Sequence, residues 1–236
     1  MRTQLQLAAA SLLFVAGAAG AQIHLHGDKP AAEDLSWMWQ YTQPAPGSRE
    51  NALALNARFK PFLEKNFTAP QTFWGKNKPL SDVAIEFLSV PGEVIGEDNR
   101  YITADGCVPH FCSDRGLLWV DQRRADPLAI FAAIEWISEN KTPDNSNATY
   151  TMWVFANRAL DPKHIPAPLT RSIARWTGRP APGSTDLQNI TRVYLIYPDG
   201  TPQPLSPATI GAHNALPAET TSQPNPSSNT TPKAQL

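Results

Sequence analysis

The chain has 236 residues, 42% of them hydrophobic and 17% charged, so there is enough apolar material for one core, or a core with an appended subdomain. Its 20 lysines and arginines against 21 aspartates and glutamates leave a formal net charge of −1. That balance excludes a global field steering the protein onto nucleic acid or an anionic membrane.

The first residues read as an export signal. Arg2 supplies a positive start, residues 5–20 are an apolar run too short for a comfortable membrane span, and Ala19-Gly20-Ala21 fits a signal-peptidase site. Residues 1–21 are expected to be removed, leaving a mature chain from Gln22 that works in a periplasm or outside the cell, with no membrane attachment. Export permits a disulfide, and the chain has two cysteines, Cys107 and Cys112, so the connectivity is not in question.

Residues 22–80 are expected to form a helical segment packing on a sheet. Asp28-Lys29-Pro30 suits a helix start, and Leu35, Met38 and Trp39 fall at i, i+3 and i+4 of a helix reaching about Tyr41. Pro44, Pro46 and Gly47 interrupt it, and Ser48 can cap a second helix lined by Ala52, Leu55, Phe59, Phe62 and Leu63, which Pro61 should kink or divide. Residues 70–79 form an aromatic-containing loop with Phe73 and Trp74.

Residues 84–90 suggest a first strand, Pro91-Gly92 a turn, Val94-Ile95 a resumed strand, Glu97-Asp98-Asn99 a second turn and Tyr101-Ile102-Thr103 an extended segment leading into the cysteines. Residues 116–120 are apolar on both alternating faces, as in a central strand covered on both sides. A charged turn over 122–126 follows. Residues 128–137 fit helix and strand equally well. A polar loop over 138–148 leads to 149–155, β-branched and aromatic, a buried strand. Residues 166–176 read as a helix with Leu169, Ile173 and Trp176 on one face and Gly178 at its C-cap. A linker over 180–183 precedes a hairpin, 190–197 and a short return strand around Pro198-Asp199-Gly200-Thr201. From about residue 207 the chain is rich in Pro, Ser, Thr and Asn, and a disordered tail is expected over 207–236.

Gly106-Cys107-Val108-Pro109-His110-Phe111-Cys112 holds both cysteines with a proline and a histidine between them. Closing a six-residue ring stabilises by only about 2 kcal/mol, so its better use is local: Pro109 fixes one φ, and His110 is held on a rigid tip suited to insertion into a cleft. A catalytic dithiol would want Cys-x-x-Cys at a helix start. Zinc would need further ligands, and His24, His26, His164 and His213 show no paired spacing with the loop. A purely structural clip stands as an equal alternative on composition.

Cys-x-Pro-His-x-Cys at Cys107, Pro109, His110 and Cys112, preceded by the extended residues 99–106 and followed by the apolar run from Leu117, resembles the signature of the Ivy family, bacterial inhibitors of vertebrate lysozyme. The resemblance covers about residues 81–178. It implies an α+β fold, with a central antiparallel sheet flanked by helices and a disulfide-closed protruding loop, and it decides 128–137 for strand. The hairpin in 179–206 and the tail look like additions, and Val108 and Phe111 stand where the family is expected to carry charged or polar residues.

The resemblance also implies a target and a mechanism. The loop enters a lysozyme cleft and His110 sits between the two catalytic carboxylates, which in a retaining glycosidase lie about 5 Å apart. An imidazolium there can hydrogen-bond both, and inhibition should weaken as rising pH removes its proton. Cys107, Cys112 and Pro109 would hold the geometry, Val108 would complete the ring, Phe111 would add apolar contact at the rim, and Asp114 or Arg115 would pair outside it. The family permits a homodimer.

Other readings are weaker. Glu86, Glu93, Glu97, Asp98, Asp105 and Asp114 crowd the loop, yet no spacing fixes an acid and a base, and no hydrolase elbow, phosphate loop or metalloprotease motif occurs. No catalysis, cofactor or metal is expected. His24 would be third in the mature chain, a position that can bind copper or nickel, but an exposed histidine is the ordinary reading. Trp119, Trp136 and Trp153 belong in a core, whereas Trp37, Trp39 and Trp74 could line a groove for glycan. A non-catalytic envelope module binding peptidoglycan or an envelope protein is therefore the second functional reading. The sequons at Asn66, Asn140, Asn147, Asn189 and Asn229 matter only in a glycosylating pathway.

Overall fold

In the computed structural model, which describes residues 33–42, 52–122, 126–136 and 148–214, seven strands form one sheet in sequence order. They are β1 (Val90–Glu97), β2 (Tyr101–Val108), β3 (Phe111–Asp121), β4 (Leu128–Trp136), β5 (Thr149–Ala156), β6 (Asn189–Ile196) and β7 (Pro202–Leu205). The helices are α1 (Phe59–Asn66), α2 (Leu80–Phe87), α3 (Ala167–Thr177) and α4 (Pro207–Ile210), with short 3-10 turns at Ser36–Thr42 and Ala52–Leu55. Neighbouring strands are antiparallel except β5 and β6, which run parallel. The expected antiparallel sheet is thus a mixed one. The reason is α3, which carries the chain from the end of β5 back to the start of β6, as a parallel pairing requires.

Alternation sorts the side chains into two layers. Ile102, Ala104, Leu118, Val120, Phe131 and Ala133 face α1 and α2, where they meet Phe59, Phe62, Leu63, Val83 and Phe87. Leu117, Trp119, Ile130, Ala132, Met152 and Val154 face α3 and α4, where they meet Leu169, Ile173, Trp176 and Ile210. The middle of β3 and most of β4 are therefore buried on both sides, as the unbroken apolar run over 116–120 predicts. Residues 128–136 are strand.

Several expectations change. Residues 84–87 belong to α2, not to a strand, because Leu80, Val83, Ala84 and Phe87 recur at i, i+3, i+4 and i+7 and all four are buried. Pro91-Gly92 is not a turn but lies within β1, where the register shifts between Pro91 and Val94; a bulge on an edge strand tolerates the missing N–H. The helix expected across 52–63 is two pieces, and Leu55 at the end of the first is 83% exposed rather than on the buried face. Pro61 sits in the first turn of α1, where its nitrogen has no helical acceptor to miss. The first segment is a 3-10 turn rather than an α-helix, though it buries Met38, with Leu35 beside it.

The hairpin of β6 and β7 is not an appendage, since β6 hydrogen-bonds to β5 and buries Ile190, Val193 and Leu195. Order also continues past residue 207: Ser206 caps α4 by accepting from Thr209 N at 3.2 Å, and Ile210 is fully buried. The signal segment, Asp28-Lys29-Pro30, Ser48, residues 123–125 and 137–147, and the tail from 215 lie outside the described residues.

Polar contacts fasten α3 to the sheet. Arg175 donates to Glu97 at the end of β1 at 2.9 and 3.4 Å, and Ser172 bridges Glu97 and Thr103 at 3.3 and 3.1 Å. The hydrogen bond from Arg175 holds the Glu97 carboxyl below its usual range, with burial opposing it. A carboxyl depressed on folding stabilises above its unfolded value near 4.5, and that contribution is lost as pH falls through the folded value. Glu97→Gln should therefore flatten the loss of stability below about pH 4.5, read from urea midpoints across pH. A second prediction concerns Gly116, where a Cβ would lie 2.8 Å from Phe87 Cβ and O. Gly116→Ala should lower unfolding free energy by about 1–3 kcal/mol in denaturant titration, because the helix backbone must move.

Candidate functional site

The cysteines sit at the end of the β2–β3 hairpin. Pairing is regular from Tyr101 opposite Asp121 to Cys107 opposite Arg115, then shifts, so that Val108 faces Phe111 with Pro109-His110 between them. The shift leaves Cys112, Ser113 and Asp114 as excess length on β3. The Cys107–Cys112 disulfide, with Cα atoms 4.9 Å apart, ties that excess to β2. What sequence reading treats as a separate loop is thus a two-residue turn on a long hairpin.

His110 has φ +66°, the left-handed region. In a two-residue turn opened by proline, the second position normally carries glycine or asparagine, since other residues pay about 1–2 kcal/mol there. Histidine at this position is a locally costly choice, which directs attention to its side chain. Pro109, His110 and Phe111 are exposed, and Phe111 shows 60% of its surface to solvent, unlike Val108 and Cys107, which are buried.

The stem beneath this tip is gripped on both faces. On one, Gly106 and Gly116 lie opposite each other, and a Cβ on either would come within 2.8 Å of the end of α2, at Leu88 or Phe87. On the other, Arg115 lies over the Trp176 ring at 5.3 Å and donates to Gln188 Oε1 at 2.6 Å and to the Arg179 carbonyl at 3.2 Å. Gln188 in turn donates to the Ser113 carbonyl at 2.6 Å. Asp105 accepts from Glu93 N at 2.7 Å and from Arg179 at 2.6 Å, and Arg179 also pairs with Glu93. Burial pulls the Arg115 guanidinium down to about 10 and pushes the Asp105 carboxyl up.

These contacts correct one expectation. Asp114 and Arg115 are 6% and 4% exposed, with Asp114 accepting from Trp136 N at 2.8 Å, so neither can serve as a rim contact for a partner. The acidic residues that crowd the loop in sequence are mostly built into the fold: Glu86 pairs with Lys78, Glu97 with Arg175, and Glu93 and Asp105 with Arg179. Asp98 lies in the β1–β2 turn at φ +54°. Among the described residues no three His, Cys, Asp or Glu side chains gather as a metal site; His24 lies outside them.

One neighbour of the tip escapes sequence reading. The expected linker over 180–183 and the residues after it, to 189, fold beside the hairpin and border a groove of about 610 Å³ together with His110, Phe111, Trp136 and Tyr150. Leu187 in that segment is 39% exposed. The available signal was Leu187 itself, a lone apolar residue in a polar stretch. The tryptophans offer less: Trp119 and Trp176 are buried, and Trp153 is stacked between Phe73 and Tyr194 at 5.3 and 5.0 Å.

Compared with protein-family models, curated proteins and solved structures, the chain matches none. The Ivy resemblance therefore rests on the loop motif and its strand context.

The left-handed turn gives a direct prediction. His110→Gly should raise unfolding free energy by about 1 kcal/mol, or the thermal midpoint by about 2–4 °C, because glycine adopts this φ without a Cβ clash. Differential scanning calorimetry of the two proteins checks it, and a lower midpoint in the glycine variant would contradict the strain.

Proposed function

We propose that this protein is an exported inhibitor of a lysozyme-like muramidase, inserting Pro109-His110-Phe111 into the enzyme's cleft with His110 between the catalytic carboxylates. The observation that carries this reading is His110 itself: an exposed imidazole at an unfavourable φ, on a turn whose stem is gripped on both faces. A preorganised tip loses little conformational entropy on entering a cleft, so more of its contact energy appears as affinity. The Cys-x-Pro-His-x-Cys resemblance supplies the target class. Val108 is turned into the core and does not reach the target, whereas Phe111 adds apolar surface at the cleft mouth. The protein catalyses nothing in this reading; it occupies the substrate's place.

The test is titration into a c-type lysozyme hydrolysing cell walls. Stoichiometric inhibition is expected. His110→Ala should raise the inhibition constant about 10- to 100-fold, the loss of charge-assisted hydrogen bonds to both carboxylates, and reduction with alkylation of Cys107 and Cys112 should weaken it too. If the wild type leaves the lysozyme fully active, the proposal fails for that enzyme, and retention of peptidoglycan on the immobilised protein would then favour the envelope-binding module.

A further inference from the structure

Behind the disulfide, on the face opposite α2, lies a cavity of about 260 Å³. Its walls include Gly92 and Glu93 of β1, Asp105 and Cys107 of β2, Arg115 of β3, and Trp176 at the end of α3. Two of these residues carry buried donors that no protein atom satisfies. Arg115, 4% exposed, has no partner for Nη2, and Trp176, 2% exposed, has none for Nε1.

Arg115 feels the Asp105 carboxylate across the wall but makes no hydrogen bond to a charged acceptor. Its hydrogen bonds go to the Gln188 side-chain carbonyl at 2.6 Å and to the main-chain carbonyls of Arg179 and Trp176 at 3.2 and 3.5 Å, all neutral acceptors. Asp105, a carboxylate on the same wall, accepts from Glu93 N and Arg179. A buried guanidinium whose hydrogen bonds all go to neutral acceptors is costly, and an idle N–H adds to the cost. The two idle donors therefore want an acceptor, and a guanidinium favours an anionic one.

We propose that this cavity binds a small monocarboxylate, whose oxygens accept from Arg115 Nη2 and Trp176 Nε1. The size suits a ligand of a few heavy atoms and is below that of pockets for larger organic molecules. A multiply charged anion such as phosphate suits it less, because Arg115 and Arg179 on this wall are already offset by Asp105 and Glu93, leaving no surplus positive charge to balance it. This site is independent of the muramidase reading, and its test involves no enzyme.

Acetate is the probe. At pH 7 and constant ionic strength, replacing chloride by acetate should change tryptophan fluorescence saturably, with a midpoint of about 1 mM, since Trp176 lies beneath Arg115. Inorganic phosphate should give no saturable change. Arg115→Lys, which keeps the charge, should raise the acetate midpoint at least about tenfold. Trp176→Phe removes one of the two donors while keeping an aromatic ring, and acetate binding read there by the shift in thermal midpoint should also weaken; this variant serves if the lysine variant does not fold. A response linear in acetate, a midpoint unchanged in whichever variant folds, or a crystal grown in acetate with only water at Arg115 Nη2 would overturn the proposal.

Discussion

The end of α2 and the β2–β3 hairpin approach each other so closely that neither strand can carry a side chain at the crossing. Gly106 and Gly116 face one another there, and the atoms a Cβ would meet are main chain or the first side-chain carbon of Phe87, which cannot swing aside. With no side chains between them, the helix end lies directly on the two strands, while Phe87 reaches Trp74 and Phe131 and joins the larger aromatic cluster. The hairpin thereby leaves the layered core at a fixed place.

The opposite face uses different physics for the same end. There the hairpin is held by buried polar groups, Arg115 over Trp176 and Asp105 against Arg179, with Gln188 reaching both Arg115 and the bulged side of β3. Burial of this kind is weak as a source of net stability, because desolvating the charges offsets much of their attraction. Its value is geometric: each partner accepts only one arrangement. The shifted ionisation of Arg115 and Asp105 is the signature of that desolvation, and the idle donors beside them are where the arrangement stays open to a ligand.

At the tip the balance reverses, and local strain is tolerated. The disulfide takes up the extra length of β3, proline sets the first turn residue, and histidine accepts a left-handed backbone that glycine would adopt freely. A stem braced by a glycine contact on one side and a polar clasp on the other can hold such a turn, which an isolated hairpin would relax. The proposed inhibitor takes its target class from the loop's resemblance, and what this contrast adds is a firm stem under a strained, exposed imidazole, with Phe111 and Leu187 as neighbouring apolar surface.

Much of this was legible in the sequence. The apolar run over 116–120, the β-branched and aromatic run over 149–155, the helical stripe of Leu169, Ile173 and Trp176, and the Asp199-Gly200 turn each carry their own periodicity or turn chemistry, and each lies where it reads. So does the disulfide, because two cysteines leave one pairing. Residues 84–90 misled because Ile85, Phe87 and Ser89 alternate over the same stretch in which Leu80, Val83, Ala84 and Phe87 keep helical spacing; burial under the sheet selected the helix. What only the tertiary structure decided is everything that depends on residues distant in the chain. Asp114 and Arg115 look like free charges beside an exposed loop, and only the return of α3 and Gln188, more than 60 residues on, encloses Arg115. Local pattern reports which face a side chain takes; what covers that face is set by contacts that no neighbouring residue encodes.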